Sequence, residues 1–351
     1  MKRLFTLLLI SFAALSCEMI DEKLDDFLGR DDLSVTTIAN NQIWYTSVNG
    51  EIVEPYSGEF NNYADAFTAF GVNIVSNTYK DGKGVVEFDG DVTTIGEWAF
   101  YNCSSLASVT IPDSVTTIGK DAFGSCSSLT SVTIPDSVTK IGEYAFSWCK
   151  GLTSVTIPDS VTYIDDHAFF YCYSLASVTI GDSVTTIGEG AFYGCDSLTS
   201  VTVGDSVTTI GTRAFYGCKS LTSVTIGDSV TTIGDYAFSW CESLTSVTIP
   251  DSVTTIGGGA FQYCSSLTSV TIGDSVTTIG EWTFCNCSSL TSVYCKPTTP
   301  PTTIVDYNGY WCAFDDNASG RKIYVPMESV EAYKSASYWS SYKSSIFGYN
   351  F

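Results

Sequence analysis

IPDSVTKIGEYAFSWCKGLTSVT, residues Ile134 to Thr156, is one reading of a 23-residue unit that the chain repeats nine times between Val92 and Leu290. A fixed period of this length means a solenoid, in which each unit buries its apolar side only against its neighbours. Cysteine holds the register at Cys103, Cys126, Cys149, Cys172, Cys195, Cys218, Cys241, Cys264 and Cys287. Phenylalanine keeps the same step from Phe100 to Phe284, leucine from Leu106 to Leu290, and isoleucine from Ile95 to Ile279. In one unit the apolar slots are Val109, Ile111, Val115, Ile118, Ala122, Phe123, Cys126 and Leu129, and Ser, Thr, Gly or Asp fill most places between them. That distribution suits a thin core running the length of a rod.

The local pattern assigns a shape to each unit. Alternation in Leu106 to Ile111 marks a half-buried strand, with Val109 and Ile111 inward and Ser108 and Thr110 outward. Pro112-Asp113-Ser114 makes a turn, and glycine takes the proline's place at Gly181, Gly204, Gly227 and Gly273. A second extended piece, Val115 to Ile118, ends at Gly119, and Lys120 to Cys126 is expected to form one helical turn. Returning a strand to the same edge in every unit predicts a parallel sheet with steps of about 4.8 Å. Val86 to Phe88 would open the series one period early, and Ile323 to Pro326 would close it after an insertion.

Both ends of such a core need covers. Residues 41–91 supply the first, with a hairpin expected over Ile43 to Val53 around Asn49-Gly50. Residues 296–351 supply the second, through the proline-rich Pro297 to Pro301, a helix over Met327 to Ala336, and Trp339, Tyr342, Ile346 and Phe347.

The units, with Leu, two Ile, Gly, Ala-Phe and Cys all in step, resemble the BspA-like class of leucine-rich repeats. Bacterial members of that class are surface proteins with tandem 23-residue units, and the likeness covers about Val92 to Tyr294. Asp165 in place of glycine and Thr283 in place of alanine are small departures. The resemblance implies an α/β leucine-rich-repeat solenoid, residues 92–295, and a role in adhesion or ligand capture.

The first residues carry an export signal. Lys2 and Arg3 precede the apolar run Leu4 to Leu15, too short to span a membrane, and Ala14-Leu15-Ser16-Cys17 is a small-residue cleavage site. Residues 1–16 resemble a bacterial lipoprotein signal, which implies lipidation at Cys17 and an outer-membrane lipoprotein exposed on the cell surface. The alternative is an ordinary secretory signal. Residues 17–40 read as an acidic tether, and its stretch of Glu18, Asp21, Glu22, Asp25, Asp26, Asp31 and Asp32, against Lys23 and Arg30, also resembles surface-routing signals of lipoproteins from anaerobic Gram-negative bacteria.

Composition removes several functions. A formal charge of −22, from 16 basic and 38 acidic side chains, argues against nucleic acid and against direct attraction to anionic lipid. His167 is the only histidine, and its slot elsewhere holds Trp, Asp, Tyr, Gly or Arg, so it reads as solvated rather than catalytic. No catalytic residue and no cofactor are expected. The cysteine ladder reads as buried thiols, because neighbouring rungs point the same way and a bridge needs Cβ atoms closer and angled together. Cys285, Cys295 and Cys312 stand outside it, with a Cys295–Cys312 bridge open. Cys285-x-Cys287 alone does not make a metal site.

Two surfaces remain for binding. The strand face carries serine and threonine rails, which either suit an exposed strand or dock a ligand. The variable slots carry the anchors that binding energy favours: Trp98, Tyr144, Trp148, Tyr193, Tyr216, Tyr236, Trp240 and Trp282, with Tyr101, Tyr171 and Tyr263 beside them. Asp-Ser-Val recurs with Ser114, Ser137, Ser160, Ser183, Ser206, Ser229, Ser252 and Ser275, and resembles a short O-glycosylation motif, although turn chemistry alone accounts for it. The reading is a non-enzymatic surface lipoprotein binding a macromolecule, first a host or matrix protein. Alternatives are a glycan-binding accessory for nutrient capture and a structural spacer.

Overall fold

In a computed structural model of the protein, the described residues are 38–55, 69–303 and 313–351. The leader, Cys17, nearly all of the acidic segment and Cys312 lie outside them. Ala39 to Phe351 form one compact unit, a β-solenoid with one rung per 23 residues.

Each rung has three sides. The Ser-Val-Thr strands, such as Ser131–Thr133 and Ser154–Thr156, point valine inward and their hydroxyls outward, as the alternation predicts. The second side is a continuous ten-stranded parallel sheet of two-residue strands, running from Thr94–Ile95 to Thr302–Thr303. The first side is less regular than expected. Its ladder is interrupted after Ser131–Thr133, after Ser177–Thr179 and after Ser223–Ile226. The backbone bonds there lengthen: Thr153 N–H reaches Thr130 O at 3.3 Å, Thr199 reaches Ala176 at 3.3 Å and Thr245 reaches Thr222 at 3.4 Å. The intervening junction, Thr222 to Thr199, closes at 2.9 Å. On this side the rungs are therefore coupled in pairs from Leu106–Thr110 to Ser223–Ile226, and continuously from Ser246–Ile249 onward.

The third side corrects the sequence reading, because Lys120 to Cys126 form stacked turns and no helix. Asp121 (φ 50°) and Ser125 (φ 62°) are left-handed, which a helix forbids. A single helical turn would leave most of its N–H groups unpaired. Here the amides alternate instead. Gly124 and Cys126 close turns onto Asp121 and Phe123, while Asp121, Phe123 and Ser125 donate to Glu143, Ala145 and Ser147 of the next rung at 2.7–2.9 Å.

Ten phenylalanine rings, Phe100 to Phe284 with Phe314, stack through the core at 5.2–5.4 Å with planes within 8°. The stack ends by turning edge-on, at Phe70 on one side (74° to Phe100) and at Tyr342 on the other (88° to Phe314). Beside it the thiols form the expected buried ladder. From Cys126 onward each donates to a phenylalanine carbonyl of the preceding rung, as Cys126 does to Phe100 (3.0 Å) and Cys287 to Phe261 (3.1 Å), while Cys103 donates to Glu54 O at 3.3 Å. Burial pushes the Cys172 thiol up to about 12. Cys295 is a free thiol, buried against the Tyr333 hydroxyl at 3.4 Å.

The first cap also differs from expectation. Strand β1 (Gln42–Ser47) runs antiparallel to both β3 (Lys83–Phe88) and Leu106–Thr110, so Val86 to Phe88 do not continue the parallel series. The hairpin joins β2 (Ile74–Lys80) to β3 through Asp81-Gly82, whose φ values of 53° and 82° fit a tight primed turn. Asn49-Gly50 only ends β1. Gly84 is required, because a Cβ there would collide with the Tyr45 ring.

At the other end Lys322–Pro326 pairs parallel with Ser292–Cys295, as expected, and Ile346–Tyr349 adds a further strand. The helix occupies Val330–Ser335 behind a 3-10 turn at Met327–Ser329. Its Tyr333 hydroxyl donates to Pro297 O at 2.8 Å and Trp339 Nε1 to Pro301 O at 3.0 Å, which clamps the proline-rich segment.

Candidate ligand-contact flank

The turn side places the variable residues on the surface, since Ala122 and Phe123 point inward and the flanking left-handed positions point out. Two slots per rung are left-handed throughout. The first holds Trp98 (59°), Tyr144 (55°), His167 (57°), Tyr236 (55°) and Trp282 (54°), and the second holds Trp148 (58°), Tyr171 (56°), Trp240 (60°) and Tyr263 (61°). A side chain in this region costs about 1–2 kcal/mol, and glycine avoids most of that. Gly190, Gly194, Gly217 and Gly259 show that the same slots accept glycine. The bulky residues therefore stand where the backbone has no need of them.

These rings are not isolated. Trp148 lies 4.5 Å from Tyr171, Tyr171 5.3 Å from Tyr193, and Tyr193 stacks on Tyr216 at 4.7 Å. Trp240 stacks on Tyr263 at 4.2 Å on the next two rungs. Gly194 permits this, because a Cβ there would overlap the Tyr171 ring. Trp148 and Trp240 remain 36% and 37% exposed, whereas Tyr171, Tyr193, Tyr216 and Tyr263 are half-buried. Burial, with Tyr171 adding to it, pushes the Tyr193 phenol up to about 12, so it is neutral at physiological pH.

Three of the flank's cations are matched by carboxylates. Lys120 meets Glu143 at 2.7 Å, Lys219 meets Asp196 at 2.9 Å, and Arg213 meets Glu189 at 3.6 Å. Lys150 also sits over Trp148, and Arg213 over Tyr236.

Of the anchors named from sequence, Tyr144, Trp148, Tyr193, Tyr216, Tyr236 and Trp240 lie within this band. Trp98 and Trp282 occupy the first and last rungs and make no ring contact among the described residues. His167 is not solvated: it is half-buried and stacks on Tyr144 at 4.7 Å. Sequence reasoning passes over Phe170 and Tyr173, yet both meet Trp148, at 6.3 and 6.0 Å. A signal for them exists, since their slots elsewhere hold mostly small or polar residues. No group of three or more metal-ligating side chains occurs among the described residues.

The eight Asp-Ser-Val serines divide in two. After proline, Ser114, Ser137, Ser160 and Ser252 are half-buried and donate to the carbonyls of Val92, Val115, Val138 and Val230. After glycine, Ser183, Ser206, Ser229 and Ser275 are exposed. At Gly181, Gly227 and Gly273 a carbonyl of the preceding rung occupies the space of a Cβ, so the chain takes a different path into the turn. The following Asp182, Asp228 and Asp274 amides then donate to Asp159, Asp205 and Asp251 carboxylates at 2.8–3.2 Å.

Residues 84–199 and 185–312 match the BspA type leucine-rich repeat region, in six copies. The chain belongs to the BspA-type leucine-rich-repeat family. A leucine-rich cell surface protein of Faecalibacterium prausnitzii is 30% identical, over 78% of this chain and 86% of its own, with a TM-score of 0.39. A leucine-rich repeat protein of Bacteroides ovatus is 26% identical, over 86% and 98%, with a TM-score of 0.45. The Leucine Rich Repeat protein of T. pallidum is 31% identical, over 52% and 74%, with a TM-score of 0.37. No curated protein matches.

Proposed function

We propose that this chain is a non-enzymatic, cell-surface binding protein that captures a macromolecular ligand along its turn flank. The observation that carries the reading is the row of bulky aromatic residues at left-handed positions where glycine would suffice. Strain retained against backbone preference points to use. The regular hydroxyl rails of the strand face offer no comparable anchor. Surface display is supported by the export signal, in which Lys2 and Arg3 precede the apolar run Leu4 to Leu15. The Faecalibacterium prausnitzii relative is itself described as a cell surface protein.

Replacing Trp148→Gly and Trp240→Gly together tests the flank. Stability is expected to change by less than about 1 kcal/mol, since relief of backbone strain offsets the loss of ring packing. Capture of ligand on immobilised matrix proteins and polysaccharides is expected to weaken at least about tenfold. Wild-type capture in the variant would refute this assignment.

Anchoring is through a lipid on Cys17, with residues 17–40 as tether and the outer membrane as the support. O-glycosylation at Asp-Ser-Val falls on Ser183, Ser206, Ser229 and Ser275, whose hydroxyls are exposed; the other four are tied to the backbone. Peptide-resolved mass measurement of protein from its native membrane checks both. An acyl increment lost in Cys17→Ser and sugar confined to those four serines are expected. Sugar on Ser114 or Ser160, or an unmodified Cys17, would contradict the scheme.

A further inference from the structure

We infer that the flank is a binding platform for an extended, uncharged polysaccharide chain lying along the solenoid axis. This rests on the flank being the recognition surface and adds the class of ligand. Six consecutive rungs contribute one ring each: Trp148, Tyr171, Tyr193, Tyr216, Trp240 and Tyr263. Contacts of 4.5, 5.3 and 4.7 Å join the first four, and 4.2 Å joins the last two. At about 4.8 Å per rung the row spans about 24 Å.

Where the second left-handed slot holds Gly194 or Gly217, the ring comes from the preceding residue, Tyr193 or Tyr216. The row thus continues through the two rungs whose slot lacks a side chain. A series with one ring per rung, in a group of four followed by a pair, matches a ligand that repeats along its own length. A globular partner without a repeating sheet or coil presents no such series, and the matrix proteins in the test below cover the protein alternative.

Charge selects among repeating polymers. The chain's −22 repels polyanions. A polycation would be drawn to the opposite edge, where Asp113, Asp136, Asp159 and their successors stand exposed in a column. On the flank itself Lys120, Arg213 and Lys219 are each matched by a carboxylate, Lys150 is held over the Trp148 ring, and the Tyr193 phenol is neutral. What fits is a chain with no charge, with apolar ring faces for the aromatic groups and hydroxyls for the ion-paired rim.

The test is affinity electrophoresis of the full chain through gels containing soluble β-glucan, xylan, mannan or α-glucan, with hyaluronan and surface-bound matrix proteins as comparisons. Retardation by at least one neutral polysaccharide is expected, with longer oligosaccharides competing better than short ones. Trp148→Gly with Trp240→Gly is expected to weaken binding at least about tenfold. Gly194→Ala, which displaces the Tyr171 ring and removes no aromatic group, is expected to weaken it too. Binding of a matrix protein alone, lost in the double variant, would overturn the polysaccharide and leave the flank as the recognition surface. Binding of any ligand that the double variant leaves intact would overturn both.

Discussion

Raising the pH from about 8 to about 10 is expected to unfold the solenoid, far more steeply than an ordinary domain of this size. In the unfolded chain the thiols ionise around 9.0, whereas burial pushes Cys103, Cys172 and Cys295 up to about 12. Cys126, Cys149, Cys195, Cys218, Cys241 and Cys264 are also raised, again chiefly by burial. Below pH 9 both states hold these protons and stability does not depend on them. Above it the unfolded chain releases protons that the folded chain keeps, so stability falls as pH rises towards the folded values. Each thiol contributes about 1.4 kcal/mol per pH unit. For nine of them this is roughly 12 kcal/mol per pH unit, against a typical total stability of about 5–15 kcal/mol. Guanidinium midpoints at the two pH values measure the effect. Replacing Cys172, Cys195 and Cys218 by alanine should flatten the slope by about a third. An unchanged midpoint at pH 10 would show that the ladder is not buried as described.

Phe192→Ala is expected to cost about 3–5 kcal/mol and to break the rod's cooperativity. Its ring lies between Phe169 at 5.3 Å and Phe215 at 5.2 Å and is fully buried. The rungs cannot close over the gap, because parallel pairing on the sheet side fixes their spacing, as between Thr186 and Thr209. Most of the cavity therefore remains. Since each rung contacts only its neighbours, the weakened junction lets the two halves unfold separately. Two transitions, or one broadened by a lower m-value, are the expected result in denaturant. A single sharp transition shifted by less than about 1 kcal/mol would refute it.

Much of this fold is legible because a repeat states the same slot nine times. One valine is ambiguous, but Val109, Val132 and Val155 together locate a strand, its inward face and its register. The turn side misleads for a physical reason. Ala122, Phe123 and Cys126 also fit helical spacing, and what decides against a helix is a set of amide bonds to the next rung. The pattern of one rung does not contain them. A clue does exist, since glycine at 190, 194, 217 and 259 alternates with Trp and Tyr in slots that no helix would give to glycine. The first cap misleads because alternation marks a strand without its direction, so Val86 to Phe88 fit a parallel series as well as an antiparallel one. The flank's anchors are largely visible in the sequence, whereas their union into a row needs the packing, above all Tyr193 and Tyr216 covering rungs whose own slot is glycine.

The reversed direction of β1 bears on how the molecule behaves among copies of itself. A solenoid built wholly of parallel rungs has matching ends, so one copy could add to the next without limit and draw out into a fibre. Here the first rung strand is already paired with a strand running the other way, and β3 and β2 lie beyond it. An incoming parallel edge finds no matching partner, and head-to-tail growth stops at that end. Among identical copies, that single reversal keeps neighbours separate.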